Sequence, residues 1–230
     1  MILSRSHRFI FIRTRKVGGT SVELFLSRFC GDDDIVTPLR KEEEPLREGM
    51  GPRNFRLPGY GKRTRPRRIL GSLLGKPAIG YGGFYNHIPA GEVRRLVGED
   101  VWNRSFKFTI ERNPWDRQVS LYNWHYRGQE PKPSFERFIL SPFRRKISPN
   151  FDTYAIDGKI AVDYVCRYES LEANLAHVLK RMGIDAEVEL LKVKGGYRDD
   201  RTWRDYYTPR TRDIVGRWYA REIADLGYAF

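Results

Sequence analysis

The first sustained apolar run, Phe9 to Ile12, is aromatic and β-branched with no polar alternation, the pattern of a strand covered on both faces. Polar residues Arg13, Thr14, Arg15 and Lys16 follow, and Gly18 and Gly19 then permit a tight turn. Val22, Leu24, Phe25, Leu26 and Phe29 recur at helical spacing, so a helix is expected from Thr20 or Ser21, either able to cap it, to about Cys30, stopping at Gly31. A second unit repeats this order. Phe106, Phe108 and Ile110 alternate as in a strand, Asn113 can cap, and Pro114 stands at a first helical position. Trp115, Val119 and Tyr122 then give the next helix its packing face.

Pro89 starts a helix with Val93, Leu96 and Val97 inward, ending near Gly98. A short amphipathic helix is expected after Ser134, a strand over Ile160 to Val165, and a helix over Ser170 to Met182 stopped by Gly183. Another strand is expected before Lys192, and one last helix from Pro209 to Leu226. Residues 31–83 show no sustained period and include a basic stretch with Lys62, Arg63, Arg65, Arg67 and Arg68. The chain therefore reads as one α/β domain over 1–230, with a basic Pro/Gly-rich insertion at about 31–83. The fold class is three layers, α/β/α, around a mostly parallel sheet.

Composition narrows the partners. A 40% apolar fraction and five tryptophans in 230 residues indicate a folded chain with a sizeable core. The net charge of +13 calls for an anionic partner: a phosphorylated nucleotide, an acidic polysaccharide, nucleic acid or an anionic membrane surface. No nucleic-acid-binding signature accompanies the charge. Cys30 and Cys166 are too few and too separated for a disulfide framework or a metal knuckle, and read as core thiols. No apolar run approaches the roughly 18 residues of a membrane span, and no leader precedes the fold. The expectation is a cytoplasmic, prokaryotic protein, unless the chain is part of a longer one. Peripheral membrane contact stays open, and nothing in the pattern points to an oligomeric state.

Strand, glycine turn and helix start together present backbone N–H groups and a positive dipole end to a phosphate. Lys16 and the hydroxyls of Thr20 and Ser21 would complete that cradle. An ordinary βα turn with a surface lysine fits the same residues. The nucleotide-kinase loop places its lysine after the glycines; here Lys16-Val17-Gly18-Gly19-Thr20-Ser21 places it before them. This order resembles the 5′-phosphosulfate loop of the sulfotransferases, enzymes that use 3′-phosphoadenosine 5′-phosphosulfate (PAPS). The run Arg112-Asn113-Pro114-Trp115-Asp116-Arg117-Gln118-Val119-Ser120-Leu121-Tyr122 resembles the 3′-phosphate motif of the carbohydrate sulfotransferases. A guanidinium grips phosphate bidentately and a hydroxyl fills a remaining oxygen. Arg167-Tyr168-Glu169 with Leu171, and Gly227-Tyr228-Ala229-Phe230, are also similar to that family.

The resemblance implies a P-loop-like sulfotransferase fold, PAPS as donor and adenosine 3′,5′-bisphosphate (PAP) as product, with no metal required. It implies donor contacts from Arg15, Lys16, Gly18, Gly19, Thr20, Ser21, Arg112 and Ser120, and from Lys194 and Arg198 in a basic loop where the family often closes over its donor. It implies Lys16 and His87 as catalytic residues and a hydroxylated acceptor, a carbohydrate that can itself be anionic. Of four histidines, His87 lies in a Gly/aromatic loop upstream of Arg112, where polysaccharide sulfotransferases carry their base. A histidine titrating near neutral pH suits that role, so the rate is expected to fall below its pKa. Glu111 and Glu169 are weaker candidates, each able to pair with a neighbouring arginine. A kinase-like P-loop enzyme and a non-catalytic polyanion binder are the alternative readings.

Overall fold

A computed structural model describes residues 1–49, 51–57, 82–142, 149–191, 193 and 199–230. Its central sheet has the order β3–β1–β2–β4–β7, from strands β1 (Ile2–Ser4), β2 (Phe9–Ile12), β3 (Ile35–Val36), β4 (Phe106–Glu111) and β7 (Tyr164–Arg167). β2, β4 and β7 run parallel, with Phe11 opposite Phe108 and Thr109 opposite Val165. β1 is antiparallel to both β2 and β3, so it alone runs against the other four. A separate two-stranded ribbon pairs β5 (Ala155–Ile156) with β6 (Lys159–Ile160).

Side-chain alternation along β2 divides the core between two faces. Phe9 and Phe11 join Phe108, Ile110 and Cys166 on one face, under α1 (Gly19–Ser27) and α7 (Leu171–Arg181). Ile10 and Ile12 join Leu3 and Ile35 on the other, under α2 (Ala90–Val97), α3 (Glu99–Arg104) and α6 (Phe151–Tyr154). These are the three expected layers. Beyond them, α4 (Pro114–His125), α5 (Phe135–Leu140), α8 (Pro209–Trp218) and α9 (Ala220–Leu226) pack around Tyr122, Trp115 and Phe138. Cys30 and Cys166 are buried free thiols, and burial first pushes each up to about 12.

Several local expectations need correction. Gly18, not Thr20 or Ser21, is the N-cap of α1, and α1 ends at Ser27, short of Cys30. The Ile2–Ser4 strand escaped notice because so short a run carries no period. The strand expected over Ile160 to Val165 is two elements. Asp163 breaks it by turning its carboxylate onto the Lys107 N–H at 2.7 Å, and β7 starts at Tyr164. No strand forms over 184–191. The last helix divides at Tyr219, whose hydroxyl accepts from Gln118 Nε2 at 2.8 Å. Within 31–83, the described part contributes β3, one turn of 3₁₀ helix at Glu44–Leu46 and two isolated bridges. Lys62, Arg63, Arg65, Arg67 and Arg68 lie outside the described residues.

Candidate active site

Both strand–turn–helix units deliver their turns to the carboxyl ends of adjacent parallel strands, where open α/β sheets bind ligands. A cavity of about 1530 Å³ opens there. Arg15, Lys16, Gly18, Gly19, Thr20, Ser21, His87, Arg112 and Ser120 all line it. Lys194 and Arg198 lie outside the described residues, while Leu190, Leu191 and Val193 beside them reach the cavity wall.

The first turn reverses through two left-handed residues, Lys16 (φ 63) and Gly18 (φ 76). For a lysine this conformation costs roughly 1–2 kcal/mol, so the surroundings must hold it. A Cβ on Gly18 would lie a tight 3.2 Å from the Tyr168 ring, and one on Gly19 3.1 Å from Arg13, so either substitution would press a neighbour aside. Arg13 is buried beneath the loop. Its guanidinium pairs with Glu23 and donates to Thr20 Oγ1 at 2.7 Å and to Asn86 Oδ1 at 3.2 Å. Thr20 also donates to Glu43 at 3.4 Å, so its hydroxyl is tied into the protein, unlike the anion-facing role expected for it. α1 starts without a side-chain cap, at the end of a helix where N–H groups and the positive dipole end point outward.

Arg112 emerges from β4 with 8% exposure. Asp116 Oδ2 accepts from its Nε at 2.7 Å, Tyr168 lies under the guanidinium at 4.1 Å, and Nη1 donates to the Lys16 carbonyl at 3.4 Å. Asp116, Ser120 and Trp124 follow at intervals of four along α4 and so share one face, which forms a cavity wall. Three cations gather on Trp124: Arg127 at 4.6 Å, Arg40 at 5.0 Å and Lys16 at 5.4 Å from the ring centre.

Of the four histidines, only His87 lines the cavity. Its Nδ1 is 3.1 Å from the Arg13 carbonyl. A carbonyl can only accept, so Nδ1 carries the hydrogen and the lone pair is on Nε2. Burial first, then the Arg13 charge, pull the imidazole from 6.5 to about 3. The near-neutral titration expected of this ring is therefore corrected: it stays neutral far into the acid range. Glu111 is fully buried, and Oε1 accepts from Arg117 at 3.0 Å and from the Arg112 N–H at 2.9 Å. Burial raises its pKa against the opposing effect of Arg117. Glu169 accepts the Asn113 N–H at 2.7 Å rather than an arginine's.

Arg13, Arg40, Trp124 and Asn150 also line the site without having been singled out as candidates. Only Arg13, inside the loop, lay near a readable signal. Among the described residues, no group of three or more His, Cys, Asp or Glu side chains is placed to hold a metal ion, and no helix is long and apolar enough to cross a membrane.

A family model described as sulfotransferase family matches residues 1–228, and the chain belongs to that family. Its chemistry is thus sulfuryl transfer. An uncharacterized protein of Archaeoglobus fulgidus is 32% identical over 107 residues, a match spanning 45% of this chain and 88% of that protein.

Proposed function

We propose that this protein transfers a sulfuryl group from PAPS to a carbohydrate hydroxyl, with His87 as base, within a single domain. The observation that carries the reading is one cavity shared by the Lys16 turn, Arg112, Ser120 and His87. The left-handed Gly18 and the uncapped start of α1 fit a 5′-phosphosulfate, and the permanently charged, half-stacked Arg112 fits a 3′-phosphate.

The donor supplies an activated sulfuryl group; the chain's residues position and neutralise it. Lys16, Arg15 and the N–H groups of Gly18, Gly19, Thr20 and Ser21 hold the 5′ end, and Arg112 and Ser120 hold the 3′-phosphate. His87 Nε2 takes the acceptor proton. A base is most effective with a pKa near the working pH, and a bound polyanion opposes the Arg13 and Arg15 charges that lower this imidazole.

A cavity of about 1530 Å³ exceeds the roughly 300–1,000 Å³ of a single-ligand pocket and has room for donor and acceptor together. Trp124 with Arg40 and Arg127 offers an aromatic face bordered by cations, which suits a sugar bearing acidic groups. The proposed setting is the cytoplasm. The test incubates the protein with sulfur-35-labelled PAPS and a panel of neutral and acidic glycans, and measures PAP against ATP affinity in parallel. Label transfer to a glycan with preference for PAP is expected. Preference for ATP, or no transfer to any hydroxylated acceptor, overturns the reading.

A further inference from the structure

Asn150 belongs to no motif in the sequence, is 3% exposed and lines the cavity. Its Oδ1 accepts the Arg15 N–H at 3.0 Å, and its Nδ2 donates to the Arg15 carbonyl at 3.0 Å. β2 ends at Ile12, so the Arg15 backbone groups lie beyond the ladder of that strand. The amide side chain of Asn150 serves as a substitute strand neighbour for this one residue. Nδ2 also donates to Glu111 Oε1 at 3.1 Å, the oxygen that accepts the Arg112 N–H. Its acceptor and its two hydrogens are thereby all used.

Arg15 immediately precedes Lys16, and Glu111 immediately precedes Arg112. One buried side chain therefore spans the two turns that face the cavity. We propose that Asn150 is a positioning residue that fixes the spacing between the Lys16 turn and the Arg112 turn, so that both phosphate-bearing ends of one nucleotide are held at once. This rests on the donor assignment above. Two ends of one ligand gain from each other only when their sites keep the right separation, a gain that can reach about a hundredfold or more in affinity. The brace requires an amide. A carboxylate at this position could not donate to the Arg15 carbonyl and would face Glu111 with a like charge.

The test compares wild type with Asn150→Ala and Asn150→Ser, by titration calorimetry with PAP, adenosine 5′-monophosphate and adenosine 3′-monophosphate, alongside melting temperature. Loss of spacing lowers PAP affinity about ten- to a hundredfold while each monophosphate changes less than about threefold. Equal weakening of all three ligands marks a merely structural residue and overturns the proposal, as does unchanged PAP affinity in a folded variant. If Asn150→Ala does not fold, Asn150→Ser decides, because it keeps a polar side chain, adds no charge beside the phosphates and cannot bridge Arg15 and Glu111 at once. A wild type that prefers ATP to PAP overturns the donor reading itself; failure confined to the variants overturns only the role of Asn150.

Discussion

The two strand–turn–helix units share one edge of the sheet but finish their helices in opposite ways. α1 begins at a left-handed glycine with no side-chain cap. α4 begins with Asn113, whose side chain accepts the Trp115 N–H at 3.1 Å, and has Pro114 where a free N–H would otherwise stand. The second helix satisfies itself and offers the cavity side chains, Arg112 and Ser120. The first has no side-chain cap on its opening turn. Similar strand and helix patterns thus start their helices in two ways, one on a left-handed glycine and one on a capping side chain.

The largest expected effect tests the part that belongs to neither unit. His87→Ala should lower transfer by roughly 10²–10⁴ while PAP affinity stays near wild type, as measured by steady-state turnover and calorimetry. Unchanged turnover in a folded variant removes His87 from the mechanism. Arg112→Ala should cost PAP about ten- to a hundredfold in affinity, equivalent to roughly 1.5–3 kcal/mol, and leave adenosine 5′-monophosphate almost untouched. Equal losses for both ligands would mean that Arg112 does not read the 3′-phosphate.

Swapping the caps sharpens the contrast. Gly18→Ala meets both a left-handed backbone and the Tyr168 ring, and should cost roughly 1–2 kcal/mol of stability together with about tenfold in PAP affinity. Asn113→Ala should cost about 1 kcal/mol of stability and change PAP affinity less than twofold. Thermal melts with and without PAP separate the two, and a PAP effect of Asn113→Ala as large as that of Gly18→Ala would erase the distinction.

The last effect is on pH dependence. Unfolded His87 takes up a proton near pH 6.5, whereas the folded ring does so only near 3. The unfolded state then binds more protons across that window, so this contribution to stability is present above about pH 6.5 and is lost as pH falls toward 3. Melting temperature should therefore drop more steeply between pH 7 and 4 in wild type than in His87→Gln. Parallel curves would show that His87 is not held neutral.

Two central strands, β2 and β4, and both turns were legible because Phe9 to Ile12, the paired glycines and Asn113-Pro114 are local signals with local causes. Lys16, Arg112 and Ser120 were legible as candidates for the same reason. Asn150 was not, because its three hydrogen bonds run to residues far away in sequence and leave no period or spacing behind. Nor was the tuning of His87, which comes from burial and from Arg13 rather than from its flanking glycines. Tyr219 shows a related limit. Its neighbours keep helical spacing, so the division of the last helix at this residue leaves no signal in the sequence.

The size of the cavity has a consequence for side reactions. A cavity of about 1530 Å³ is large enough to hold many water molecules. Water carries the same O–H group as a sugar, so on the proposed reading a donor bound alone stands before a crowd of competing acceptors. The glycan would then be stopper as well as substrate, displacing the water that would otherwise drain the donor through futile hydrolysis.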